Sequence, residues 1–348
     1  MSKKKYRLAV CIGRFQPLHL GHNALFQVAA AEADTVLVLI GSSNVVRNPE
    51  NPFTFEERAL MIRETVEPLV DSLGAKLVIR PLRDTVYNED AWLAQVQDAV
   101  SKVVGPFERG EVGLFGHDKD ETSYYLHQFP QFVLENVPDV THLSATHLRE
   151  HLLFRDDTPL SHMEPYVGPQ TLGFLESFQR LPAYAQLVRE SAFLESYRKP
   201  FESLKYPVIF VTTDAVVSCN GHLLVVERRA EPGRGLLALP GGFLGVGERI
   251  LDSAVRELRE ETRLKVPEKV LLGSLVGRDV FDAPRRSLRG RTVTHAFHFS
   301  LDGGDLPRVK GDDDARKAYW LPFSEFRALD GRMFEDHWHI AAQFLGFS

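Results

Sequence analysis

Cysteine is nearly absent: two residues in 348, Cys11 and Cys219, far apart and each inside an apolar run. That excludes a disulfide framework, and the pair reads as buried thiols of a reducing compartment. Long hydrophobic runs are missing as well. No stretch approaches the roughly 20 apolar residues that span a bilayer. The first apolar run, residues 6–12, is too short for the core of a signal peptide, and no small-residue cleavage site follows it. A cytoplasmic protein without a membrane partner is therefore expected. Positive charge is also in short supply, 41 Lys and Arg against 47 Asp and Glu, for a net charge of −6. Proteins that grip nucleic-acid phosphates along a groove are normally basic, so no nucleic-acid partner is expected, while a local basic pocket for a small anion stays open. Internal repeats and low-complexity segments are lacking too. What remains is ordinary globular composition, 44% hydrophobic and 25% charged. At about 150 residues per domain the length suggests two domains, each able to bury its own core.

The first half alternates strands and helices. Residues 6–12 read as a buried strand ending at Gly13, 22–33 as a helix, 35–40 as a second strand ending at Gly41, and 55–73 as a helix. Residues 76–80 read as a strand, 91–104 as a helix, and 112–115 as a strand ending at Gly116. This alternation argues for βαβ units and a parallel sheet. Ligands of such sheets sit beyond the carboxyl ends of the strands, so the loops after residues 12, 40, 80 and 115 are the places to look. Residues 168–205 are mostly helical in pattern. Beyond Tyr206-Pro207 two strand patterns, 208–217 and 222–227, flank a turn at Asn220-Gly221, and further strand patterns include 292–301. The chain is divided on this basis into residues 1–182, a helical linker 183–205, and residues 206–348.

The loop after the first strand reads Gly13-Arg14-Phe15-Gln16-Pro17-Leu18-His19-Leu20-Gly21-His22. The HxGH spacing brings two imidazoles together at a helix N-terminus, where free N–H groups and the helix dipole attract phosphate. Further on, Ser144-Ala145-Thr146-His147-Leu148-Arg149 places hydroxyls at a helix cap and a guanidinium in the first turn. An arginine there clamps phosphate with paired bonds. These segments resemble the two signatures, HxGH and SxTxxR, of the HxGH nucleotidyltransferase superfamily, and in particular nicotinamide mononucleotide (NMN) adenylyltransferases of the archaeal type. The resemblance implies a Rossmann-like domain that transfers AMP from ATP to NMN and releases pyrophosphate. It implies ATP binding by Gly13, Arg14, Phe15, His19, His22, Ser144, Thr146 and Arg149, with His19, His22 and Arg149 acting on the phosphates. For NMN it implies Arg47, Asn88 and Trp92, the last either stacking on nicotinamide or belonging to the core. Lys119, in the loop after the fourth strand, is a further phosphate candidate.

A second pattern starts at Gly242. Five residues follow, then Glu248, and seven more follow before Arg256-Glu257-Leu258-Arg259-Glu260-Glu261. Glu257, Glu260 and Glu261 fall on one face of a helix, where three like charges repel unless a divalent cation offsets them. Hard carboxylate oxygens suit Mg²⁺ or Mn²⁺. Glu248 is placed to pair with Arg256. The pattern resembles the Nudix box, G-x5-E-x7-R-E-U-x-E-E-x-G-U, at every charged position. It departs once, with Arg263 where the box has glycine, so altered local geometry is expected there without loss of catalysis. The resemblance implies an α/β/α domain with a mixed sheet that hydrolyses a nucleoside diphosphate linked to another group. Metal ligands would be Glu257, Glu260 and Glu261, with Glu260 or Glu261 as general base. Asp312-Asp313-Asp314 is an alternative base, and a patch of Arg285, Arg286 and Arg291 either grips phosphate or forms a surface loop. His337-Trp338-His339 lacks further ligands for a metal site, so a helix with Trp338 turned inward is expected.

The two motif sets in one chain resemble bifunctional NMN adenylyltransferase/Nudix hydrolases. The resemblance implies ATP, NMN and ADP-ribose as substrates, with AMP and ribose 5-phosphate as products of the second site. The alternative is an adenylyltransferase for another phosphate acceptor, joined to a Nudix-like sensor of ADP-ribose. The oligomeric state stays open.

Overall fold

The computed structural model describes residues 3–117, 125–138, 144–154, 160–301, 303–311 and 315–347. Contacts between Cα atoms divide the chain into two compact units, Met1–Arg189 and Glu190–Ser348.

The first unit is built on five parallel strands: β1 (Tyr6–Gly13), β2 (Ala33–Ile40), β3 (Lys76–Pro81), β4 (Val112–Gly116) and β5 (Val133–Asn136), in the order β3-β2-β1-β4-β5. Helices α1 (Leu20–Glu32), α2 (Phe55–Ser72) and α3 (Glu89–Val104) make the crossovers, and α4 (Ala145–Phe154) and α5 (Pro169–Phe178) follow β5. The near-continuous apolar runs of β1 and β2 are explained by cover on both faces. Ala9, Cys11, Val36 and Val38 pack into one buried cluster with α1 and α2. Leu8, Val10, Leu37 and Leu39 pack into another with Val96 and Val100 of α3. The register aligns the strand ends: Gly13 pairs with Ile40, Ile40 with Pro81, and Gly116 with Asn136. Chain order reverses between β1 and β4, which is where an open α/β sheet leaves a crevice. Strand β5 escaped the sequence reading because its four edge residues are only half buried or exposed and show no apolar run.

Helix α6 (Pro182–Arg198) carries the chain across the division at Arg189 and Glu190. The second unit holds a mixed sheet, with main path β10-β11-β6-β7-β12, β9 paired to β6 and β8 paired to β7. Its strands are β6 (Phe210–Cys219), β7 (His222–Arg228), β8 (Leu237–Ala238), β9 (Gly241–Phe243), β10 (Leu275–Phe281), β11 (Thr292–Ser300) and β12 (Ala315–Pro322). β6 and β11 run parallel, while the other strand pairs among the described residues of this unit, including the β6–β7 hairpin, are antiparallel. Asn220 and Gly221 both take positive φ in that hairpin's turn, as a two-residue Asn-Gly loop requires. The helices are α7 (Ile250–Thr262), α8 (Glu268–Gly273), α9 (Phe323–Phe326) and α10 (His337–Leu345). Ala254, Val255 and Leu258 turn α7 onto the sheet. Trp338 of α10 stacks on Phe326 and donates its Nε1–H to the Phe326 carbonyl, 3.1 Å away. Among the described residues no helix is long and apolar enough to cross a membrane.

Candidate active sites

The first site forms where β1 and β4 end. His19 is the cap residue of α1 and His22 the third residue of its first turn. Their rings stack at 3.7 Å between centroids. The His19 backbone N–H donates to His22 Nδ1 at 3.2 Å, so a neutral His22 ring carries its proton on Nε2. Phe15 takes a left-handed backbone, φ 52°, which turns its ring under Gly13, where a Cβ would lie 2.8 Å from the ring, and edgewise to His22. Gln16 is buried and fixed to Phe53 by two bonds, Nε2 to the carbonyl and Oε1 from the N–H, each 3.0 Å.

Arg149 is the fifth residue of α4, just past the first turn in which it was expected. It is buried, donating to the Gln16 carbonyl at 2.9 Å and to Thr146 Oγ1 at 3.0 Å. Ser144 Oγ accepts from the Thr146 N–H at 3.2 Å. Arg14, Phe15, His19, His22, Ser144, Thr146 and Arg149 therefore line one cleft of about 230 Å³, together with Gln16 and His117. His117 follows β4 and meets the Val137 carbonyl through Nδ1. The sequence reading missed Gln16 and His117, although the rule that ligands gather at strand ends points to both. It also gave no role to Arg58. This buried guanidinium donates to the carbonyls of Arg14 (2.8 Å), Gly41 (2.7 Å), Ser42 (3.1 Å) and Thr54 (3.1 Å). Burial lowers it to about 10, yet it stays charged at neutral pH.

The three residues offered for NMN lie outside this cleft, and each meets a partner of its own. Arg47 forms a bidentate pair with Glu57 at 2.6 and 2.7 Å. Asn88 caps α3, its Oδ1 accepting from the Ala91 N–H at 3.0 Å. Trp92 packs edgewise on Tyr125 and against Phe129, at the margin of the second apolar cluster. Lys119 and Asp312 to Asp314 lie outside the described residues.

The second site forms between β9 and α7 in a cavity of about 350 Å³. Glu257 and Glu261, one turn apart, both line it. Gly242 leaves room for Glu257: a Cβ there would stand 2.5 Å from its Oε1. Gly241 leaves similar room for Asp214, and its N–H donates to Glu261 Oε2 at 3.1 Å. Burial pushes Glu261 up to about 8, with Glu257 adding to the effect. Arg256 is the local cation. It pairs with Glu248 at 2.5 and 3.0 Å, with Glu257 at 2.9 Å and with Glu260 at 2.8 Å. Glu248, held by Arg256, drops to about 2.

Among the described residues no three His, Cys, Asp or Glu side chains close around a cation position. The donor set nonetheless fits a hard divalent ion. Glu257 and Glu261 share the cavity, and the cost of ionising the buried Glu261 beside a second carboxylate is what such an ion offsets. Glu260 faces Arg256 and is 45% exposed, which separates it from that pair.

Arg263 adopts the left-handed cap itself, φ 48° and ψ 31°, so the helix ends as the missing glycine would end it. In the expected phosphate patch the outcome is mixed. Arg285 is exposed. Arg291 bonds the Asp282 carbonyl and lies 3.6 Å from its carboxylate. Arg286 lines the cavity that holds Glu257 and Glu261. Its guanidinium is 2% exposed and forks onto Asp336 at 2.7 and 2.8 Å. Cavity residues the sequence reading passed over are Asp214, Arg228, Arg289 and Glu335, none of which belongs to a motif.

Comparison with known proteins agrees with both halves. A family model described as cytidylyltransferase-like matches residues 10–109, and the NUDIX domain model matches residues 210–344. A nicotinamide/nicotinic acid mononucleotide adenylyltransferase of Acinetobacter baylyi is 34% identical over 184 residues, 53% of this chain and 92% of that protein. A crystal structure of a bifunctional NMN adenylyltransferase/ADP ribose pyrophosphatase from Francisella tularensis is 33% identical. It covers 98% of this chain and 99% of its own, with a TM-score of 0.91. A second structure from that organism, holding AMP and a manganese ion, is 32% identical over the same shares, with a TM-score of 0.88. An α/β unit with its cleft at the β1/β4 crevice, followed by a mixed-sheet unit carrying the Nudix box, is thus matched end to end, and the chain belongs to the family of bifunctional NMN adenylyltransferase/ADP-ribose pyrophosphatases.

Proposed function

We propose that this chain makes a dinucleotide at one site and hydrolyses a dinucleotide fragment at the other. The observation that carries the reading is the end-to-end likeness to a bifunctional enzyme, with the charged residues of both motif sets present in this sequence. In the first unit the NMN phosphate attacks the α-phosphorus of ATP and pyrophosphate leaves. Such transfers need positioning and charge stabilisation and no covalent enzyme intermediate. His19 and His22 stand at the N-terminus of α1, where their ring N–H groups and the helix amides meet phosphate oxygens. Arg149 stabilises the β/γ end, and Arg58 keeps the loop carrying Arg14 at the strand ends. Nicotinate mononucleotide is the second acceptor to test.

In the second unit the substrate is ADP-ribose and the products are AMP and ribose 5-phosphate. Glu257 and Glu261 would hold Mg²⁺ or Mn²⁺, with Glu260 as the third carboxylate of the box. Bound there, the ion would supply charge to polarise the diphosphate and acidify a water. Arg256 positions the box by tying Glu248 to the helix.

Full-length protein incubated with ATP and NMN, and separately with ADP-ribose and Mg²⁺ or Mn²⁺, should yield NAD in the first case and AMP with ribose 5-phosphate in the second. H19A should lose only the first activity. The double variant E260Q/E261Q should lose only the second. NAD formation by H19A would overturn the ATP-site assignment. Saturable binding of ADP-ribose without turnover would make the second unit a sensor.

A further inference from the structure

Glu335 lies in the loop before α10, outside every motif, and three observations single it out. Its backbone is left-handed, φ 46°. A residue with a side chain keeps that conformation only where its surroundings enforce it. Its side chain is 9% exposed and lines the same cavity as Glu257 and Glu261. Its two carboxylate oxygens are treated unequally. Oε2 lies 3.8 Å from Arg289 Nη2, and the Ser287 hydroxyl donates to the carboxylate. Oε1 is buried and accepts no hydrogen bond. Leaving a buried carboxylate oxygen without a donor is costly, and here the backbone is bent unfavourably as well. The neighbours hold it in place: Asp336 is forked by Arg286, and His337 Nδ1 accepts the Leu239 N–H at 2.9 Å.

With Oε1 closed off, it is the rest of the carboxylate, next to Arg289, that borders the cavity. The chemistry beside Glu335 narrows the choice of ligand. Arg289 is placed over the rings of Phe243, at 5.0 Å, and Phe334, at 5.8 Å, which fixes its guanidinium next to the carboxylate. A phosphate oxygen suits Arg289 but is repelled by Glu335. An exocyclic amine suits Glu335 but offers no lone pair to Arg289. A sugar hydroxyl does both, donating to the carboxylate and accepting from the guanidinium.

We propose that Glu335 is a substrate-binding residue whose carboxylate accepts a hydrogen bond from a sugar hydroxyl of the nucleotide sugar, beside Arg289. The proposal rests on the reading of this unit as an ADP-ribose hydrolase. The hydroxyl belongs either to the adenosine ribose or to the terminal ribose, and the two products separate these sources.

The test compares full-length wild type, E335Q and E335A with saturating Mn²⁺. The KM for ADP-ribose should rise about tenfold or more, as loss of a hydrogen bond to a charged acceptor predicts. kcat should stay within about threefold, the signature of lost ground-state binding. Product inhibition identifies the sugar: weaker inhibition by ribose 5-phosphate alone marks the terminal ribose, and by AMP alone the adenosine. A fall in kcat at constant KM would overturn the proposal by placing Glu335 in the chemical step. Unchanged constants would overturn it too. If E335Q and E335A lose their fold by circular dichroism, E335N carries the comparison, since asparagine tolerates the left-handed backbone. If wild type shows no turnover, the hydrolase reading fails by itself. Calorimetric ADP-ribose binding then decides: a Kd tenfold weaker in E335Q supports the contact, and an equal Kd removes it.

Discussion

Arg286 separates two readings of the Nudix unit. Its place in the sequence offers it as a phosphate ligand, while its place in the structure makes it half of a buried ion pair with Asp336. The side chains are 2% and 4% exposed. Burial opposes the charge on Arg286, yet Asp336 holds its pKa above the ordinary value. Replacing Arg286 by Met leaves Asp336 desolvated and without its fork, a change that costs about 3–5 kcal/mol in buried pairs. For a unit of this size each kcal/mol moves the melting point about 2–4 °C, so the expected drop is roughly 6–20 °C. The assay is thermal inactivation of ADP-ribose hydrolysis in the full chain, followed in parallel by circular dichroism. The double variant R286M/D336L removes both charges and should recover most of the loss, because apolar replacements of similar volume are tolerated where a lone charge is not. R286M melting within 2 °C of wild type would refute this reasoning. A KM for ADP-ribose that rises at unchanged stability would return Arg286 to the role of phosphate ligand.

R263G should stabilise the protein by about 1 kcal/mol without changing hydrolysis, because glycine takes the left-handed cap at no steric cost; denaturant unfolding measures it. G242A should lower kcat for ADP-ribose about 10²-fold, since the added Cβ displaces the Glu257 carboxylate and small misplacements of catalytic groups cost that much; adenylyl transfer in the same chain is the control. R58M should cost at least about 3 kcal/mol by stranding backbone carbonyls that share one guanidinium, read as earlier heat loss of NAD synthesis. Chelation with EDTA should abolish ADP-ribose hydrolysis, with recovery on adding back Mn²⁺ or Mg²⁺.

The first sheet was legible because strands covered on both faces must be apolar throughout, as residues 6–12 and 35–40 are. The two motifs were legible because both act over short spans of sequence: two residues separate His19 from His22, and one helical face carries Glu257 and Glu261. What stayed hidden depends on distance in sequence. Gln16 finds Phe53, Arg58 finds Arg14 and Gly41, and Arg286 finds Asp336 only after folding. Glu335 is the extreme case. It adjoins Asp336 and His337 in a stretch of mixed polarity, and only its backbone angle and its position in the cavity set it apart. Arg263 shows the converse. A departure visible in the sequence is absorbed locally, because the chain keeps the cap's geometry and accepts its cost.

The two cysteines are distributed one to each compact unit. Cys11 sits at 0% exposure in the middle strand of the first sheet, and Cys219 at 1% at the end of β6. Burial also pushes the Cys11 thiol well above its usual range, so the reactive thiolate is scarce while that strand is packed. Each sulfur is therefore a clock that starts only when its own unit opens. Under a small alkylating reagent, the mass of two peptides followed over time would report the opening of each half separately, in the unaltered chain.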